Sequence, residues 1–156
     1  MSKIAVFPGS FDPITVGHES IVYRTLDLFD KIFIAVGNNE NKKGFFSLEA
    51  RIAMIKDVFG NHAKIEITHY NDLTIDVCKR VGAKYIIRGL RTSADFEYER
   101  AIAQVNKAML PEIESVFILT MPEHTSINST IVREILRYGG DATKFMPAAV
   151  NFKKYL

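Results

Sequence analysis

Five short apolar runs punctuate this chain, and each is followed by a polar loop and a segment of helical period. The runs are "KIAVF" (3–7), "KIFIAVG" (31–37), "KIEIT" (64–68), "KYIIRG" (84–89) and "SVFILT" (115–120). Strands alternating with helices favour a parallel sheet, because parallel neighbours need a crossover and the crossover helices cover the faces. Helices are expected at 17–29, with Val22, Leu26 and Phe29 at helical spacing and Thr15 as N-cap, and at 48–59 between Ser47 and Gly60. Another spans 73–81 and closes at Gly82. The next carries Tyr98, Ile102, Val105 and Met109 on one face. A fifth, marked by Ile127, Ile131, Val132, Ile135 and Leu136, stops at Gly139–Gly140. A short C-terminal helix, about "AAVNFKKY", is expected after Pro147. The expected fold class is α/β: a doubly wound, five-stranded parallel sheet with helices on both faces, forming a single domain over residues 1–156.

Composition narrows the function. The net charge of +2 is too small for bulk binding to nucleic acid or to an anionic membrane, so neither partner is expected. One cysteine, Cys78, cannot form an intramolecular disulfide, and its place between Ile75 and Val81 suits core packing. "MSKIAVF" is too short for a signal peptide, and no run reaches the ~18 apolar residues of a membrane span. The expected location is the cytoplasm.

Parallel sheets of this kind bind ligands beyond the carboxyl ends of their strands, at a topological switch point. The chemistry is therefore expected in loops 8–17, 37–46, 69–73, 88–95 and 121–130. The first, "GSFDPITVGH", matches neither common glycine-rich phosphate loop, yet it runs from a strand into a helix N-terminus. Gly9 would let backbone approach a ligand, Ser10 adds a hydroxyl and Gly17 clears the helix start. His18 in the first turn can donate to a phosphate without permanent charge; the structural alternative is an imidazole satisfied by a backbone carbonyl. Lys42 and Lys43 are either solvated or one reaches the same pocket. Arg88 and Arg91 either bind phosphate or pair with Asp95, Glu97 or Glu99. Ser126, Asn128, Ser129 and Thr130 either cap a helix or help to hold a polyphosphate. His62, His69 and His124 lack metal-ligand spacing, and no metal site is expected in the protein itself.

Thr15-Val16-Gly17-His18 resembles the T/H-x-G-H signature of the nucleotidylyltransferase superfamily. "RGLRTSADFEYE" and "SINSTIVREI" narrow the resemblance to the bacterial phosphopantetheine adenylyltransferases, over Lys3 to about Phe152. That resemblance implies a Rossmann-like fold and a reaction of ATP with 4′-phosphopantetheine to give 3′-dephospho-CoA and pyrophosphate, with Mg²⁺. It also implies a homohexamer built as a dimer of trimers, with CoA as a feedback inhibitor. Carried over by position, His18, Lys42 and Arg91 are the expected catalytic residues. The ATP side comprises Ser10, Phe11, His18, Gly89, Leu90, Arg91 and Glu99, with His124, Thr125, Ser126, Ile127, Asn128, Ser129 and Thr130 as its last wall. Ser10, Lys42, Thr74 and Arg88 would take the acceptor. His124, Asn128 and Thr74 depart from residues common in the family. A related cytidylyltransferase or nicotinamide-mononucleotide adenylyltransferase, and a sensor that only holds ATP, are the competing readings. Neither accounts for the acceptor-side residues.

Overall fold

The computed structural model describes residues 1–156. Its five strands are β1 (Ile4–Gly9), β2 (Lys31–Gly37), β3 (Ile65–Tyr70), β4 (Tyr85–Leu90) and β5 (Glu114–Leu119). The helices between and after them are α1 (Val16–Thr25), α2 (Leu48–Phe59), α3 (Thr74–Val81), α4 (Ser93–Met109) and α5 (Ser129–Arg137). All strand pairs are parallel, in the order β3-β2-β1-β4-β5. The expected α/β class and the parallel five-stranded sheet are therefore observed.

β1 and β2, rich in β-branched and aromatic residues, are buried on both faces by their flanking helices. Ile32, Ile34, Val36, Met54 and Ile55 form the centre of the larger core cluster; Val6, Val77, Cys78 and Ile86 form a smaller one. Gly82 closes α3 at φ +71, where a side chain would be strained.

The chain winds β1-β2-β3 to one side and then starts again at β4 on the other side of β1. β1 and β2 stay in register from Ile4↔Lys31 to Gly9↔Val36, whereas β1 and β4 pair only at Ala5↔Tyr85 and Val6↔Ile86. Beyond Val6 the two central strands part, which opens a crevice at the switch point.

Two expectations need correction, and the exposure of one helix face is new. α1 ends at Thr25, and Leu26 caps it, so Phe29 reaches the core from the following turn. The C-terminal segment forms two 3₁₀ turns, Thr143–Phe145 and Phe152–Tyr155, instead of a helix over "AAVNFKKY". Val150 and Phe152 are both buried, and residues two apart cannot share one helix face. The apolar face of α4, with Tyr98, Ile102, Val105 and Met109, is exposed; Glu99 is the helix's one buried residue.

Candidate functional site

The crevice between β1 and β4 has a volume of about 300 Å³ and is walled by the 8–17 loop, the end of β4, the start of α4 and the start of α5. Ser10, His18, Arg88, Arg91, Asn128 and Ser129 all line it.

His18 is held by its own helix start. Its Nδ1 accepts from the Thr15 N–H at 3.0 Å, and the Thr15 hydroxyl accepts from the His18 N–H at 3.4 Å. This is a capping box in which an imidazole takes the place of the usual carboxylate. An amide N–H can only donate, so Nδ1 is bare and the ring proton sits on Nε2. Burial, and then the charges of Arg88 and Arg91, lower the His18 pKa from 6.5 to about 4. At neutral pH the site thus holds an uncharged ring with one donor. The Phe11 ring, 4.9 Å from the imidazole centroid to centroid, fixes its tilt. Phe11 itself sits at φ +48, a strained backbone for a bulky residue, in the wall of the crevice. Gly9 serves that packing: a Cβ there would lie 3.1 Å from the Phe11 ring. Gly9 therefore admits the Phe11 ring, and it also lines the crevice.

The depressed pKa has a testable sign. The unfolded chain binds a proton on His18 between pH 6.5 and about 4 that the folded chain does not. Stability from the neutral ring is therefore complete above the unfolded value and lost as pH falls through that window. Melting curves across it should show a steeper acid loss for the wild type than for His18→Gln. Equal slopes would contradict the assignment.

Each arginine pairs with a carboxylate, one of the two sequence alternatives, and each also lines the crevice. Arg88 donates through Nε and Nη2 to both oxygens of Glu99, at 2.8 and 2.7 Å, and through Nη1 to the Pro8 carbonyl at 3.0 Å. Glu99 is only 7% exposed, so this fork is built into the wall. Glu99, expected on the ATP side, is observed as the orienting partner of Arg88. Arg91 makes a looser pair with Asp95, its Nε at 3.2 Å. Asn128 caps α5 by accepting from the Ile131 N–H at 2.8 Å, and the Ser129 hydroxyl donates to the Pro13 carbonyl.

The other expected residues divide between the crevice and its surroundings. Phe11, Gly89 and Ile127 line the crevice; Leu90, His124, Thr125, Ser126 and Thr130 do not. Thr74 lies in an adjoining cavity that shares Pro8, Arg88 and Glu99 with the crevice, and its hydroxyl is 3.3 Å from that of Tyr70. Lys42 lines a separate basin that meets the crevice at Ser10.

Sequence reasoning missed three residues. Arg51 is buried and donates to the carbonyls of Ser10 and Gly37, at 2.9 and 3.0 Å, tying the ends of β1 and β2 together. Asp12 accepts from the Phe45 and Phe46 N–H groups, each at 2.8 Å, anchoring the lysine loop. Arg133 donates to the Asp12 carbonyl at 2.8 Å. Arg51 did leave a signal, since it shares the apolar face of α2 with Leu48, Met54 and Ile55.

No group of three His, Cys, Asp or Glu side chains is arranged to hold a metal ion. The crevice carboxylates, Asp95 and Glu99, are both engaged by arginines.

A crevice lined by two arginines at the switch point of a parallel sheet, with a neutral histidine at its helix start, suits a nucleotidyltransferase-type site. The cytidylyltransferase-like family model matches residues 6–135. The phosphopantetheine adenylyltransferase of Flavobacterium psychrophilum is 49% identical over 96% of this chain and 98% of its own. That of Flavobacterium johnsoniae is 50% identical, again over 96% and 98%. The chain belongs to the phosphopantetheine adenylyltransferase family. Solved structures share the fold: the Plasmodium falciparum nicotinic acid mononucleotide adenylyltransferase complexed with NaAD aligns at a TM-score of 0.68 and 20% identity, over 99% of this chain and 96% of its own. A bifunctional NMN adenylyltransferase/ADP ribose pyrophosphatase from Francisella tularensis, complexed with AMP and a manganese ion, aligns at 0.68 and 22%, over 97% of this chain and 45% of its own.

Proposed function

We propose that this chain, acting as a single domain, transfers the adenylyl group of ATP to 4′-phosphopantetheine, giving 3′-dephospho-CoA and pyrophosphate, the penultimate step of coenzyme A biosynthesis. One observation carries the reading. The crevice offers a neutral histidine donor and two arginines, and neither of its carboxylates is free to act as a base.

The chemistry matches that inventory. The acceptor phosphate is already anionic at neutral pH, so no base is needed. One of its oxygens forms a bond to the α-phosphorus while the bond from that phosphorus to the bridging oxygen of the leaving pyrophosphate breaks. The barrier is like-charge repulsion and in-line aim. Arg88, oriented by Glu99, and Lys42, reaching past Ser10, hold the attacking phosphate. His18 Nε2–H donates to the α-phosphate oxygens as their charge grows. Arg91 and the free backbone N–H groups at the start of α5, that of Ser129 among them, take the pyrophosphate. Mg²⁺ bound to the ATP phosphates would offset their charge. Thr74 lines the acceptor's channel, and Gly89 with Ile127 borders the adenine side.

Two further features fit this reading. The exposed apolar face of α4 is a surface that one of the interfaces of a homohexamer, a dimer of trimers, would cover. The expected location is the cytoplasm, and the single cysteine, Cys78, is buried and free. CoA, which shares the acceptor's pantetheine arm, is the expected feedback inhibitor.

Incubation with ATP and 4′-phosphopantetheine should yield pyrophosphate and dephospho-CoA in equal amounts by mass spectrometry. Absence of the adenylylated product would overturn the reading. Lys42→Ala should weaken phosphopantetheine binding in calorimetry and leave ATP binding nearly intact. Collapse of ATP affinity with acceptor use preserved would invert the assignment of the two anions.

A further inference from the structure

A second cavity of about 300 Å³ lies beyond Ser10, between the 38–46 loop and α5. Five cationic side chains line it, Lys42, Lys43, Arg51, Arg133 and Arg137, against one carboxylate, Asp12. Both oxygens of Asp12 are already occupied by backbone N–H groups. The whole chain carries a net charge of only +2, so this concentration of positive charge is local.

Arg51 makes the basin more than a solvated patch. It is 5% exposed, no carboxylate pairs with it, and its Nε is buried with no hydrogen-bond partner. Its other donors go to two backbone carbonyls and the Asn38 side chain. A buried charge without a counter-ion is costly, and an unmade hydrogen bond adds to that cost. An anion in the basin would supply the missing counter-charge. Arg133, fixed on the Asp12 carbonyl and the Thr130 hydroxyl, lines the same floor. Lys43 and Arg137 form the exposed rim, with Arg137 packed over the Phe45 ring.

We propose that this basin is a second phosphate subsite, with Arg51 and Arg133 as its fixed base and Lys43 and Arg137 as its rim. Its ligand is a doubly charged phosphate group, carried by a molecule whose remainder lies in the crevice or bound as free pyrophosphate. The subsite stands on this geometry alone and does not require the acceptor to be phosphopantetheine.

The test is calorimetry with inorganic pyrophosphate on the wild type, the rim double variant Lys43→Gln/Arg137→Gln, and Arg51→Gln. The rim residues are exposed, so the double variant should fold normally, as circular dichroism would verify. Its pyrophosphate affinity should fall about tenfold or more, with the loss shrinking as salt rises. Pyrophosphate should raise the melting temperature of the wild type more than that of Arg51→Gln. Two further arms identify the source of the phosphate. A drop for ATP but not AMP assigns the nucleotide's terminal phosphates. A drop for 4′-phosphopantetheine but not pantetheine assigns the acceptor. Unchanged pyrophosphate affinity in both variants overturns the subsite. Failure of the wild type to transfer adenylyl, with the pyrophosphate results as expected, would count against the proposed reaction and leave the subsite standing.

Discussion

His18→Ala should fold and should lose about 10²–10³-fold in kcat, the typical cost of removing one transition-state donor. The loss should fall on kcat more than on KM, because the imidazole donor matters most when charge builds on the α-phosphate. The ring is already neutral at working pH, with its pKa near 4, so the effect is one of lost hydrogen bonding and not of lost charge. Folding should suffer little. The Thr15 N–H loses its partner, a cost of about 1 kcal/mol, while the Thr15 hydroxyl still caps α1. Steady-state kinetics beside a melting curve separates the two effects. A kcat close to wild type would remove His18 from the reaction.

The Arg88–Glu99 pair should be the most damaging polar contact to break. Glu99→Ala strips a bidentate partner from a side chain that is otherwise held only by the Pro8 carbonyl. Removing one member of a buried pair costs about 3–5 kcal/mol, and the one-third exposure of the Arg88 side chain argues for the lower end. Arg88→Lys keeps the charge and loses the planar fork, so it should raise KM chiefly for phosphopantetheine. Arg91→Lys, whose pair with Asp95 spans one turn at the surface, should cost little stability and raise KM chiefly for ATP. A melting curve for Glu99→Ala within 1 kcal/mol of wild type, the range of exposed pairs, would mean that the fork is only a surface contact. Unchanged kinetics in both lysine variants would take the arginines out of the site.

The contrast between these two groups shows what the sequence could reveal. β2 matches its expected span from Lys31 to Gly37, and the other strands shift by one or two residues, because apolar runs bounded by turn residues encode strands locally. His18 was legible for the same reason: its partner, Thr15, is three residues away. Arg88 was visible as an arginine ending an apolar run, but its geometry was not, because the fork depends on how α4 folds back on β4. Arg51, Asp12 and Arg133 were illegible as site residues. Their partners are backbone groups 14 to 121 residues distant, and any residue supplies a backbone group. The C-terminal segment was misread because its apolar residues fill the core one by one and carry no helical period. The exposed face of α4 carries a true helical period whose burial, if any, must come from outside the chain.

Acceptor choice is the sharpest test, because the fold is shared with enzymes named for nicotinic acid and nicotinamide mononucleotides. Pyrophosphate release should be measured with ATP or CTP, each alone, with 4′-phosphopantetheine and with nicotinamide mononucleotide. Rapid release with ATP and 4′-phosphopantetheine together, and background release in every other combination, is the predicted result. Release without phosphopantetheine, with CTP in place of ATP, or with nicotinamide mononucleotide as acceptor would contradict it.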